Sequence, residues 1–99
     1  MEVYFADESL KLLEIEPDFT GGYSQAVVRA FRKRMQMIRA APDERDFYQL
    51  KSLHFEKLKG NRSHQHSMRL NDQFRLVVEL GRGKQGNKKL TIIAIEDYH

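Results

Sequence analysis

Cysteine is absent from the 99-residue sequence, which excludes both a disulfide framework and a thiolate metal site. Long apolar runs are absent too, since no stretch approaches the ~20 residues that a membrane-spanning helix requires. The N-terminal segment MEVYFADESL lacks the features of a signal peptide. We therefore expect a soluble, cytoplasmic protein that has no contact with a membrane.

The length and composition predict one folded domain that spans residues 1–99. Two hydrophobic cores do not fit in a chain this short, whereas one core can form without metal or disulfide support. Hydrophobic residues make up 40% of the sequence and aromatic residues 10%, proportions that argue against a disordered chain. The sequence contains no internal repeat and no linker.

Positive charge is modest overall but concentrated in one part of the chain. The net charge of +3 is too common a value to identify a nucleic-acid-binding protein by itself. Between Lys51 and Arg75, however, there are six Lys or Arg residues and only two acidic residues. The two acids are Glu56 and Asp72, and the histidines of this segment are His54, His64 and His66. This distribution is typical of a surface that faces phosphate groups.

The N-terminal half is predicted to contain a short strand at residues 3–5 and two helices. Asp7 is a suitable N-cap for the first helix, which runs to about Glu14. Ser24 is a suitable N-cap for a longer helix over residues 25 to about 41. Its apolar residues recur at helical spacing: Val27, Val28, Phe31, Met35 and Ile38. The polar residues of its opposite side are expected to be solvated: Arg29, Arg32, Lys33 and Gln36.

The C-terminal half is predicted to be mostly β-structure. Residues 46–53 form a turn or a short helix, and four strands follow, at 54–58, 66–70, 74–80 and 90–96. We expect the last strand to be central because it is apolar on both faces, and the polar segment 81–89 to be a mobile loop. This order predicts an α+β fold, with two N-terminal helices packed on one face of a mainly antiparallel sheet of four to five strands.

Three motifs of the C-terminal half carry a family resemblance. They are LKGNR at 58–62, QHSMRLNDQFR at 65–75 and IEDYH at 95–99. In this order and at this spacing, they resemble the HigB-type toxins of the RelE/ParE toxin superfamily, which belong to type II toxin–antitoxin systems. Two features depart from that pattern, because Phe74 stands where Trp is usual and the segment 81–89 is longer and more basic than expected.

The resemblance implies a fold, an activity and partners. The fold is a RelE-like α+β sandwich that is open on one side. The activity is ribosome-dependent cleavage of mRNA in the decoding site, without a metal or any other cofactor. The partners are a cognate helix-turn-helix antitoxin of the HigA type, the small ribosomal subunit and mRNA.

Metal-free RNA cleavage needs a base for the 2′-hydroxyl proton, cations for the charge of the phosphorane and an acid for the leaving 5′-oxygen. His99 is interpreted as the proton-transfer group because imidazole titrates near neutrality. Tyr98 is assigned to stacking on a base or donating to the phosphate. Arg75, which strand alternation turns away from the core, and Lys59 are the predicted catalytic cations. The further residues assigned to RNA contact are Lys57, Arg62, Arg69 and Asp97.

Each of these residues also has an interpretation without chemistry. Arginines on the outer face of strands are often simply solvated, and a terminal His99 is often a disordered chain end. We expect the last two residues to carry few buried contacts. His54 and His66 lie near core positions, so a packing role has at least equal weight. His64 and His66 make a poor zinc site without cysteine.

Two other functions remain compatible with the sequence. A ParE-like toxin of the same scaffold inhibits DNA gyrase by protein contact, but such toxins lack a chain end like residues 97–99. A plain RNA-binding module is the other alternative. The sequence argues against it because paired exposed aromatic residues on a strand are missing.

Overall fold

The computed structural model describes residues 1–98, over which the chain forms five strands and three α-helices. The strands are β1 (Glu2–Phe5), β2 (Glu56–Lys57), β3 (His66–Arg69), β4 (Phe74–Arg82) and β5 (Lys88–Asp97). The helices are α1 (Glu8–Ile15), α2 (Gln25–Ala40) and α3 (Arg45–Gln49). Short 3-10 turns occupy Lys51–Leu53 and Gly60–Arg62.

The five strands of the described chain form one sheet with the order β1-β5-β4-β3-β2. β1 is parallel to β5, and the other neighbouring strands are antiparallel. β5 therefore lies between two strands, as its apolar character on both faces predicted. The α+β fold with a mainly antiparallel sheet is confirmed.

The two N-terminal helices pack on one face of this sheet, as predicted. Asp7 caps α1 by accepting a hydrogen bond from the Ser9 N–H, and Ser24 caps α2. The predicted apolar residues of α2 are all buried. One core cluster joins Val28, Phe31, Met35 and Ile38 of α2 to Met68, Leu76, Leu90 and Ile92 of the sheet. Across residues 1–98, no helix is long and apolar enough to cross a membrane.

A β-bulge in β5 changes which of its side chains face the helices. Val77 pairs with Ala94, but the residue after Val77 pairs with Ile92. Ile93 is therefore an extra residue in β5. Ile92, before the bulge, is buried in the core. One extra residue reverses the alternation of side chains along the strand. Glu96 therefore lies on the face of the sheet that points away from the helices, whereas in an unbroken strand it would point toward them.

The strand predicted at 54–58 is shorter than expected, because only Glu56–Lys57 pairs in the sheet. His54 follows the 3-10 turn Lys51–Leu53 and has a left-handed backbone, with φ 49° and ψ 48°. Such a conformation cannot continue a strand. The ambiguous segment before it contains the short helix α3.

The loop predicted at 81–89 is shorter than expected and covers only residues 83–87. β4 and β5 continue into this segment and pair there, with Gly81 opposite Lys89 and Arg82 opposite Lys88. The connecting turn is closed by a 2.7 Å hydrogen bond from the Gly83 N–H to the Asn87 carbonyl oxygen. Polar composition suggested a loop, but backbone pairing makes most of the segment a β-hairpin.

Arg32 of α2 is not simply solvated, contrary to expectation. Its Nε donates to the Leu13 carbonyl oxygen at 3.0 Å, and its Nη2 donates to the Glu16 carbonyl oxygen at 2.8 Å. These oxygens belong to the last turn and end of α1, where carbonyl groups lack helical partners. Arg32 therefore fastens α2 to the end of α1.

Candidate functional site

The face of the sheet that points away from α1 and α2, here called the outer face, carries the predicted residues of β3 and β4. Arg69 pairs with Arg75, and Arg75 pairs with Glu96, so these three side chains lie side by side. At the next position along the ladder, Ser67 is 4% exposed and Val77 is fully buried. The prediction that Arg75 leaves the core is confirmed.

Two adjacent cavities lie over the outer face. The first, about 230 Å³ in volume, is lined by His54, Glu56, Ser67, Arg69, Arg75 and Tyr98. The second, about 390 Å³, is lined by Glu56, Lys57, Leu58, Lys59, Arg62 and Arg75. Glu56 and Arg75 line both cavities and form the border between them. The five basic residues assigned from the sequence, Lys57, Lys59, Arg62, Arg69 and Arg75, are thus brought together.

Arg69 and Arg75 have different anionic neighbours. Arg69 forms an ion pair with Asp72 and donates from Nε to the Asn71 carbonyl oxygen at 3.2 Å. Arg75 donates from Nη2 to Glu96 Oε1 at 3.2 Å, and only 26% of its side chain is exposed. A partly buried cation interacts with an anion more strongly than a fully solvated one. Arg75 is therefore the better placed of the two to stabilise charge within a cavity.

Glu96 contacts a second arginine besides Arg75. Arg62 donates from Nη2 to Glu96 Oε2 at 2.6 Å and from Nε to Gln65 Oε1 at 3.2 Å. The pKa of Glu96 is lowered, first by the hydrogen bond from Arg62 and then by the one from Arg75. Glu96 is thus held as a carboxylate between two arginines that come from different parts of the chain.

Tyr98 is exposed, as expected for a residue near the chain end, but it is held by two hydrogen bonds. Its N–H donates to the Gln73 carbonyl oxygen at 3.1 Å, and its hydroxyl donates to the Asn71 carbonyl oxygen at 3.1 Å. Arg75 Cζ lies 6.0 Å from the centre of the Tyr98 ring, within the range of a cation–π contact. Tyr98 is still 42% exposed and lines the first cavity, so it is accessible to a ligand.

The other site residues predicted from the sequence do not all lie in the cavities. Lys57 and Lys59 are exposed and line the second cavity. Asp97 lines neither cavity, and its Oδ2 accepts a 2.8 Å hydrogen bond from Gln73 Nε2. His99 lies outside the described residues.

Four cavity residues were not assigned a role from the sequence, namely Leu58, Ser67 and the two titratable residues His54 and Glu56. Glu56 pairs with Ser67 across β2 and β3, which places its carboxylate on the outer face beside the basic residues. In the sequence it was one of only two acids inside the basic segment 51–75, which by itself indicates nothing. His54 is exposed in the first cavity, so the packing role considered for it is wrong.

His66, in contrast, does pack. Its ring stacks on Phe55, with ring centres 4.9 Å apart and an angle of 11° between the planes. Burial lowers the pKa of His66, and nearby Lys57 lowers it further. Within residues 1–98, no group of three or more metal-ligating side chains is gathered in one place.

The chain is similar to known toxins. The family model of HigB-like toxins, described as RelE-like toxins of the type II toxin–antitoxin system HigB, matches residues 4–95. A YoeB/ParE toxin from Agrobacterium tumefaciens is similar over 100% of both chains, with a TM-score of 0.59 and 19% identity. The YoeB dimer from Staphylococcus aureus is similar over 100% of this chain and 97% of that chain, with a TM-score of 0.54 and 20% identity. These two structures support the fold alone. No curated protein matches the chain.

Proposed function

We propose that the chain, which belongs to the HigB-like family of RelE-like toxins, is a ribosome-dependent endoribonuclease that cuts mRNA without a metal ion. A toxin of a type II system has an antitoxin as its partner, and RelE- and HigB-like toxins are in general endoribonucleases. We propose three further points for this chain. It cleaves mRNA, it does so only on the ribosome, and its antitoxin is HigA-like.

The observation that carries this proposal is the pairing of Arg69 with Arg75 on the outer face, in cavities that also contain a carboxylate and an aromatic ring. Two guanidinium groups side by side repel each other, and an anion between them removes that repulsion. An RNA phosphate is such an anion, and it accepts bidentate hydrogen bonds from arginine. The exposed part of the Tyr98 ring offers a stacking surface for a neighbouring base.

The proposed reaction uses residues of both cavities together with His99, whose role is assigned from the sequence. Glu56 accepts the proton of the RNA 2′-hydroxyl, and the 2′-oxygen forms a bond to the adjacent phosphorus. The bond from phosphorus to the 5′-oxygen breaks, and His99 donates a proton to that oxygen. Arg75 and Lys59 stabilise the additional negative charge of the phosphorane. The products are a 2′,3′-cyclic phosphate and a 5′-hydroxyl end.

Glu56 is preferred as the base because it lines both cavities, and it shares the second with both predicted cations. A carboxylate in the charged form can accept a proton without a prior change of state. Lys57, Arg62 and Arg69 contact phosphates of the bound strand. Asp97 accepts a hydrogen bond from Gln73, and its assignment to RNA contact stays a prediction.

The test is induction of the protein alone in bacteria, followed by mapping of mRNA 5′ ends. We expect growth arrest, with new 5′-hydroxyl ends inside translated reading frames. Co-expression of a HigA-like antitoxin should restore growth. Purified protein should cut mRNA on programmed ribosomes and leave the same mRNA intact without them.

Two results would contradict the proposal. Normal growth with confirmed soluble protein would exclude toxicity of this kind. Growth arrest with intact mRNA and inhibited DNA gyrase would assign the chain to the ParE-like alternative instead.

A further inference from the structure

Glu96 connects two elements that would otherwise be independent. Its Oε2 accepts from Arg62, in the 3-10 turn Gly60–Arg62, at 2.6 Å. Its Oε1 accepts from Arg75, in β4, at 3.2 Å. One carboxylate thus joins the turn that follows Lys59 to the strand that carries the predicted catalytic arginine.

These contacts fix both guanidinium groups from one side. An arginine side chain has several rotatable bonds, and a half-exposed arginine loses little stabilisation when it rotates into the solvent. Arg62 is 39% exposed and Arg75 is 26% exposed at the side chain. Charge-assisted hydrogen bonds to one carboxylate restrict this motion. They also offset the repulsion of Arg75 by Arg69, its direct partner across the ladder.

We propose that Glu96 is a positioning residue for RNA cleavage, holding Arg62 and Arg75 around the second cavity so that both face one phosphate group. This inference depends on the proposed function. Glu96 itself does not bind RNA, because its negative charge repels phosphate. It acts through the two arginines, and its place on the outer face depends on the bulge at Ile93.

This role predicts that Glu96→Gln lowers the cleavage rate without weakening the affinity for RNA. The arginines lose their common anion, and a misplacement of about 1 Å can cost on the order of 100-fold in rate. We therefore expect single-turnover cleavage on programmed ribosomes to fall about 10- to 100-fold. Removal of a negative charge beside the arginines that line the second cavity should leave the affinity for ribosome-bound mRNA unchanged or tighter.

The matched control is Glu79→Gln, which removes the same charge from the same outer face of the sheet, but from β4 in place of β5. The Glu79 side chain is 36% exposed, close to the 30% of Glu96, and its carboxylate lies 3.5 Å from His64, with no arginine as a partner among the described residues. We expect its cleavage rate to match that of the unaltered protein. A fall in rate as large as that of Glu96→Gln would overturn the inference, because the loss of any negative charge on this face would then explain the effect.

A double variant tests whether Glu96 acts through Arg62. If it does, Glu96→Gln should reduce the rate by a smaller factor in an Arg62→Gln background than in the unaltered protein. Independent, multiplying effects would overturn the inference. So would an unchanged rate in Glu96→Gln, or a joint loss of rate, affinity and melting temperature, which would indicate a purely structural role.

The proposed function and this inference fail in different ways. An unaltered protein that cuts no mRNA on ribosomes would contradict the proposed function and remove the premise of this inference. An unaltered protein that cuts mRNA, together with a Glu96→Gln variant that cuts equally fast, would contradict this inference alone.

Discussion

Arg69 of β3 and Arg75 of β4 are direct partners across the antiparallel ladder, and both side chains lie on the outer face. Like charges at directly opposed positions destabilise a sheet by a few tenths of a kcal/mol. Nothing in the packing of the core requires this pair, because both side chains point away from the helices. Asp72 pairs with Arg69 and Glu96 pairs with Arg75, and both arginines also line the first cavity, so an anion bound there can contact both.

The first prediction concerns Arg75→Gln. We expect mRNA cleavage on ribosomes to fall by about 10²- to 10³-fold, as when one preorganised donor to a developing charge is removed. Stability should change by less than about 1 kcal/mol, because an ion pair is lost while the repulsion from Arg69 is relieved. Single-turnover assays and thermal melts measure the two effects. The control is Arg45→Gln, because Arg45 is exposed and lines neither cavity. If Arg75→Gln cleaves mRNA as fast as this control, Arg75 has no part in catalysis.

The chain end gives the second prediction. Removing His99 alone should slow cleavage by about 10²- to 10⁴-fold, the usual contribution of a positioned acid or base. Tyr98→Phe keeps the ring but loses the hydroxyl bond to Asn71, so it should cost about 1 kcal/mol or less and leave most of the activity. Full cleavage without His99 would move the acid role to His54.

The third prediction concerns the left-handed backbone of His54. Asn tolerates this conformation, whereas a β-branched residue is strained in it by about 1–2 kcal/mol. His54→Val should therefore be less stable than His54→Asn by about that amount in urea denaturation. Both variants lack the imidazole, so the comparison isolates the backbone effect. Equal stabilities would mean that φ at this position relaxes without cost.

The fourth prediction is a pH dependence of stability due to His66. Its pKa is lowered by burial below the value of about 6.5 that it has in the unfolded chain. Its contribution to stability is therefore complete above about pH 6.5 and is lost as the pH falls through the folded-state pKa. Acidification should destabilise the unaltered protein more than His66→Phe, which keeps the stack on Phe55. His64→Gln, at an exposed position, should retain the full dependence, and identical pH profiles for all three proteins would contradict this account.

The fifth prediction concerns salt. Each phosphate contact with single-stranded RNA contributes about −0.7 to the slope of log affinity against log salt concentration. Lys59→Gln should therefore weaken binding to ribosome-held mRNA and reduce the slope by about 0.7. Lys11→Gln, an exposed position on α1, is the control and should leave the slope unchanged. Binding that is insensitive to salt would instead indicate an apolar protein contact.

The sequence predicted those features that depend on neighbouring residues. The apolar spacing of α2 and its cap at Ser24 depend on the geometry of a single helix, and both are confirmed. Alternation along β4 was sufficient to place Arg75 on the outer face, because successive side chains of a strand point in opposite directions. The motifs at 58–62, 65–75 and 95–99 indicated the toxin family, and the family match confirms it.

The sequence by itself thus determined the two N-terminal helices, the approximate positions of the strands, the face of Arg75 and the family, since periodicity and motifs are local properties. Only the tertiary structure decided the bulge at Ile93 and with it the position of Glu96 between two arginines. It also decided that Glu56 lies beside those cations. The physical reason is register: a one-residue shift in strand pairing reverses every later side chain, and pairing is set by contacts between residues far apart in the chain.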